Sequence, residues 1–342
     1  MTNPDPEPGS TPGAMPPRPG SGSSTQRGTP MADPLLTQAA RLQAMLESCE
    51  LCPRRCRVDR TGGERGVCGL GASAVVASAL VHHGEEPPLS GSRGAGTIFL
   101  ASCNLGCPYC QNYQISRGTA GTVTDDEGLA EIMLALEKRG CHNVEAVTPT
   151  PQAPRIAGAL LAARRRGFAL PFVYNCGGYE NPEVIRLLDR FVEIYLPDFK
   201  YGLAEAALGL GNVPDYVPHA LASLREMVRQ VGDALELREG VAARGLLVRH
   251  LVLPGHVANS LAVLKLIREN VSTAVPLSLM SQYTPVPAVK DHPDLGRRIT
   301  RDEYNRVVDA ALDWGFSNLF IQDVDDRELT PDFDRESPFR WS

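Results

Sequence analysis

Cys103-Asn-Leu-Gly-Cys107-Pro-Tyr-Cys110 is the stretch on which the reading of this chain turns. It places three thiols in one tight loop and offers no fourth. A structural zinc site closes its shell with four ligands, whereas a catalytic metal keeps one coordination position free. Four-iron clusters are held by cysteine thiolates, and three thiolates leave one iron open to a small molecule. The loop therefore predicts a metal centre with an open position, against the bland readings of a partial zinc knuckle or a chance cluster.

Working outward, Thr97-Ile-Phe-Leu-Ala-Ser reads as a strand that feeds this loop. Further apolar, strand-like runs follow at Val144–Thr148, Leu170–Tyr174, Val192–Leu196, Leu246–Val252, Val275–Met280 and Asn318–Gln322. Amphipathic stretches lie between them. Asp126–Lys138 puts Leu129, Ile132, Met133 and Leu136 on one face, and Tyr216–Val231 does the same with Leu221, Leu224, Met227 and Val228. Strand and helix alternating about six times predicts an α/β fold, a parallel sheet with crossover helices of the kind that closes into barrels. In such barrels the chemistry gathers past the C-terminal strand ends. Those positions are polar: Thr148 and Thr150, Asn175 with Cys176, Asp198 and Lys200, Arg249 and His250, Gln282 and Tyr283, Gln322 and Asp323. Asp198 and Lys200 are two apart, so they share a face and can pair; Arg249 and His250 are adjacent and must diverge, with Arg249 the one expected inside. Cys141 and Cys176 read as small buried residues.

Upstream, Cys49, Cys52, Cys56 and Cys68 form a second group among Gly62, Gly63, Gly66 and Gly69. Four thiolates make a closed set, and zinc or an auxiliary four-iron cluster both fit it. The expected organisation is a Pro/Gly/Ser-rich disordered arm over 1–34, a cysteine-rich metal-binding module and linker over 35–92, the barrel over 93–326 and an acidic tail over 327–342. His82 and His83 fall in a stretch rich in breakers and read as polar loop surface. The chain has 342 residues, nine cysteines and a formal net charge of −6. That charge argues against general nucleic-acid binding, and the arginines at 54, 55, 57 and 60 read as a solvated face. No run of about 18 apolar residues and no signal-like start occurs, so a soluble cytoplasmic protein with reduced thiols is expected.

These marks together resemble the radical S-adenosylmethionine (radical SAM) superfamily. Residues 45–323 are similar to an uncharacterised branch related to the activating enzymes of glycyl radical enzymes, such as the pyruvate formate-lyase activating enzyme. The resemblance rests on Cys-x-x-Cys-Pro-x-x-Cys from Cys49, Glu85-Glu-Pro, Ser90-Gly, Gly96-Thr-Ile-Phe, the Cys103 loop ending Gln111-Asn112, Val147-Thr-Pro-Thr, Tyr174-Asn, Tyr195-Leu-Pro-Asp-Phe-Lys-Tyr, Arg249-His-Leu-Val-Leu-Pro-Gly and Gln282-Tyr. It implies a partial (β/α)6 barrel, a [4Fe-4S] cluster on Cys103, Cys107 and Cys110, S-adenosylmethionine on its open iron, and reductive cleavage to a 5′-deoxyadenosyl radical for hydrogen abstraction. It also implies that Asn175, Asp198, Lys200 and Arg249 hold the cofactor, and that a low-potential donor of flavodoxin or ferredoxin type supplies electrons. The substrate is open and includes a protein. Departures are visible too: Thr-Pro-Thr stands where many of these proteins carry a Gly-Gly-Glu run, and the four-cysteine group precedes the barrel. Two alternatives remain, a glycyl radical activating enzyme and a non-catalytic zinc-binding interaction protein.

Overall fold

The computed structural model describes residues 33–325, 330–335 and 337–339. The expected arm falls on residues outside this range except at its last two positions, where Asp33 caps a helix that opens at Pro34. Eleven strands follow in chain order. They are β1 (Ala74–His82), β2 (Ala95–Leu100), β3 (Thr122–Thr124), β4 (Val144–Val147), β5 (Phe172–Cys176) and β6 (Ile194–Pro197). The rest are β7 (Leu235–Arg238), β8 (Val241–Leu246), β9 (Val248–Leu251), β10 (Leu277–Met280) and β11 (Leu319–Ile321).

The hydrogen-bonded orders are β3-β1-β2-β4-β5-β6-β8-β7 and β11-β10-β9. From β2 through β4, β5, β6 and β8 the pairing is parallel, and so is that of β9, β10 and β11. One residue separates β8 from β9, and a parallel bridge from Asp198 to Arg249 carries the β6 edge onto β9. The result is a mostly parallel, curved sheet, the α/β architecture expected. Its strands are apolar on both faces because both faces are covered, and β2, β4 and β10 are buried along their whole length.

Two helices fall at the residues their periodicity marks, Asp126–Lys138 and Tyr216–Val231. Asp125 caps the first by accepting from the Gly128 N–H at 2.9 Å. Two regions differ from expectation. The strand expected over 246–252 forms as β9 over Val248–Leu251, but Leu246 ends β8, whose antiparallel hairpin with β7 was not expected; at Gly245 (φ 128°) in that hairpin a Cβ would lie 2.0 Å from the Ala234 carbonyl oxygen. Residues 74–82, expected in the linker, form β1, which pairs antiparallel with β2 and extends the barrel sheet. Asp33–Ser342 forms one compact unit, so the cysteine-rich segment shares a body with the barrel.

Candidate active site

The cysteine loop leaves β2 through Ser102 (φ 70°) and turns again at Gly106 (φ 72°). Its shape is pinned from outside. The Ser102 N–H donates to the Ile115 carbonyl at 2.8 Å, and the buried Asn104 amide donates to the Tyr179 carbonyl at 2.7 Å. Tyr109 is buried, with its hydroxyl 2.6 Å from that of Tyr201, which in turn lies 3.7 Å from Cys107 Sγ. The Leu105 N–H points at Cys103 Sγ from 3.4 Å. Burial pushes the Cys103 thiol up to about 12 and the Cys110 thiol upward as well, and each thiol lies in the field of its loop neighbours. Such thiols become thiolates when a cation takes the protons' place, which is the donor set a cluster requires. The residues fit the group.

The three cysteines open onto a cavity of about 230 Å³ that the strand tips complete. Thr148 follows β4, Asn175 and Cys176 end β5, Asp198 and Lys200 follow β6, Arg249 lies in β9, and Met280 and Gln282 come from the end of β10. Asp198 and Lys200 form an ion pair on one face. Burial alone would push the Lys200 ammonium down, but the Asp198 carboxylate together with Cys107 and Tyr216 outweighs it and holds the group above its ordinary range. The Tyr216 hydroxyl locks this corner, accepting from the Lys200 N–H at 2.9 Å and donating to the Gly177 carbonyl at 2.9 Å. A Cβ at Gly178 (φ 78°) would meet the Asp198 carbonyl oxygen at 2.1 Å, so a side chain has no room there.

Arg249 and His250 diverge as alternation demands. His250 faces away, bonded to the Phe199 carbonyl at 2.7 Å and Ser260 Oγ at 2.8 Å, and burial pushes its imidazole down to about 4. Arg249 faces the cavity, where it pairs with both Glu85 and Glu86. The sequence reading gave these two carboxylates no role. Nor did it place His82, which is buried at the end of β1, 3.2 Å from Glu85, and lines the same cavity. That corrects the expectation of polar loop surface. Asn175 donates to the buried Glu145 at 2.5 Å, so its amide is already engaged. Pro331 and Phe339 complete the wall, and Phe333 and Phe339 pack on Phe99.

Residues 97–232 match the model of the Radical SAM superfamily. The matched stretch covers the cysteine loop and the rim through Lys200. An uncharacterised protein of Methanocaldococcus jannaschii is 28% identical over 283 residues, or 81% of this chain and 78% of that protein. SuiB of Streptococcus suis, solved with bound S-adenosylmethionine, is similar at 11% identity and a TM-score of 0.44, over 65% of this chain and 48% of that one. The FeFe-hydrogenase maturase HydG of Carboxydothermus hydrogenoformans is similar at 12% identity and a TM-score of 0.48, over 66% and 52%. This chain thus spans about half the length of these solved structures.

Behind the Cys103–Cys110 loop, Cys49, Cys52, Cys56 and Cys68 line one small separate cavity with Arg60, Asn104 and Pro151. All nine cysteines are free thiols, and Cys141 and Cys176 are buried as expected. No helix among the described residues is long and apolar enough to cross a membrane.

Proposed function

We propose that this chain cleaves S-adenosylmethionine reductively, using a [4Fe-4S] cluster on Cys103, Cys107 and Cys110, to start hydrogen abstraction from a substrate. The observation that carries the reading is the convergence of these three thiols with Asn175, Asp198, Lys200 and Arg249 on one cavity. When bound, cluster and cofactor supply one-electron cleavage of a carbon–sulfur bond to give the 5′-deoxyadenosyl radical. The chain's own residues do the rest. Lys200 with Asp198 presents a fixed cation and carboxylate beside Cys107, and Arg249, bridged to Asp198 in the sheet, presents a guanidinium to the same cavity. Phe99, Leu251, Met280 and Phe339 supply the apolar part of the wall. The electron comes from a low-potential donor of flavodoxin or ferredoxin type, in a compartment that keeps the thiols reduced.

The finer reading, activation of a glycyl radical enzyme, is supported by the sequence marks shared with those activating enzymes. It predicts a glycine-centred radical in such a partner only when this chain, S-adenosylmethionine and reductant are present together. The test of the main reading is anaerobic reconstitution with iron and sulfide, followed by dithionite and S-adenosylmethionine. The expected product is 5′-deoxyadenosine. About two zinc per chain with no acid-labile sulfide would instead make this a zinc-binding interaction protein.

A further inference from the structure

Arg60 is the group the radical SAM site leaves unexplained. Its side chain is 2% exposed, yet no carboxylate pairs with it among the described residues. Instead it donates to carbonyls: to Gly71 at 2.9 and 2.6 Å and to Pro151 at 2.7 Å. Its remaining neighbour is Cys49 Sγ, 3.9 Å from Nη1. A buried cation is costly unless a negative charge answers it, and neutral thiols provide none.

The thiols around it are arranged as a set. Cys49, Cys52, Cys56 and Cys68 line the same cavity, which also holds the Arg60 side chain in its wall. The chain wraps tightly to bring them there. The Cys49 N–H donates to the Val58 carbonyl and the Arg57 N–H to the Cys49 carbonyl, both at 3.0 Å, while the Arg55 N–H closes a turn on Cys52 at 3.1 Å. The Val67 N–H is aimed at Cys56 Sγ from 3.4 Å, a bond that favours a thiolate. At Gly66 a Cβ would stand 2.7 Å from that same sulfur, so the loop can approach it only as glycine. Four core cysteines would need none of these features, whereas four thiolates around a metal centre carry the negative charge that Arg60 lacks.

We propose that Cys49, Cys52, Cys56 and Cys68 hold a second, thiolate-ligated metal centre, with Arg60 as its buried counter-charge. The shared chemistry is tetrathiolate ligation, met by a four-iron cluster or by zinc. Among the described residues no three His, Cys, Asp or Glu side chains are already placed around a single ion, so the four sulfurs would rearrange about either group on binding. The centre braces the radical SAM loop: Ser102 Oγ donates to the Cys68 carbonyl, and Arg54 donates to the Asn104 and Leu105 carbonyls at 3.0 and 3.2 Å. Cys68 and Cys103 also face one surface groove. The proposal uses none of the cavity residues, so it stands apart from the reading of the radical site.

The experiment is metal and sulfide analysis of the full chain, purified anaerobically, as wild type and as the Cys103→Ala, Cys107→Ala, Cys110→Ala variant. The variant is expected to retain about four iron with sulfide, or about one zinc. Wild type is expected to hold about eight iron, or about four iron with one zinc, which covers the case of a variant that does not fold. Cys52→Ser with Cys56→Ser should remove the second complement alone. Arg60→Met should release that complement to a chelator roughly tenfold faster, with Arg60→Lys restoring much of the retention. A folded variant free of metal, or wild type with about four iron and no zinc, overturns the proposal; chelator release unchanged in Arg60→Met overturns the counter-charge.

Discussion

Arg249 meets Glu85 and Glu86 across more than 160 residues of sequence, and the three side chains are largely withdrawn from solvent beside the buried Glu145. Removing the cation alone would take the arginine from both carboxylates in a largely desolvated wall, leaving Glu85 with His82. Arg249→Met is therefore expected to cost about 3–5 kcal/mol in urea denaturation of the metal-free chain. A loss below about 1 kcal/mol would mean the pair is solvated and free to be exchanged. Glu180 gives the pH counterpart. It is fully buried, accepts from Thr150 Oγ1 at 2.8 Å, and burial pushes its carboxyl from 4.5 to about 7. A raised carboxyl contributes stability that is fully present below the unfolded value and is lost as pH rises through the folded one. Glu180→Gln should thus raise the melting temperature at pH 8 and leave it nearly unchanged at pH 4; equal shifts at both would contradict this. At this scale the sequence was legible where a local rule applied. Alternation placed Asp198 with Lys200 and separated Arg249 from His250. It could not pair Arg249 with Glu85 and Glu86, because no local spacing encodes a contact made by bringing β1's end over β9.

Elements were legible in proportion to their regularity. The helices Asp126–Lys138 and Tyr216–Val231 carry a sustained 3.6-residue period, and their bounds follow it. The strand expected over 246–252 forms over Val248–Leu251, while the hairpin of β7 with β8 just before it, turning through Gly245, carries too little apolar periodicity to be read. The C-terminal segment was read as solvated acid. In the described parts of it, Asp332 and Asp334 accept from the Gln114 amide at 3.2 and 3.0 Å, and the Phe333 N–H donates back to Gln114 at 2.8 Å. This clasp holds Phe333 and Phe339 against Phe99, with the Phe339 ring 4.4 Å from that of His82. The segment acts as a wall of the cavity. A chain ending at Asp325 should expose Cys107 and Cys110, so that iodoacetamide modifies them several-fold faster in the metal-free protein. An unchanged rate would show that the wall does not limit access.

At the scale of the whole molecule, a parallel sheet sets polar tips from successive strands around one mouth, and the loop after its first barrel strand brings the thiols there. That convergence was legible because order along the chain fixes which tips share a rim. The packing of the four-cysteine segment onto the back of the same loop was not, since it depends on Arg54, Arg60 and Ser102 meeting partners in other segments. The most direct measurement is electron paramagnetic resonance of the anaerobically reconstituted, dithionite-reduced chain, recorded before and after S-adenosylmethionine is added. The account predicts a reduced four-iron signal whose g values shift on addition, and predicts that this shift is lost when Cys103, Cys107 and Cys110 are replaced by alanine. A reduced spectrum that S-adenosylmethionine leaves unchanged, or a shift that survives the triple replacement, would contradict it.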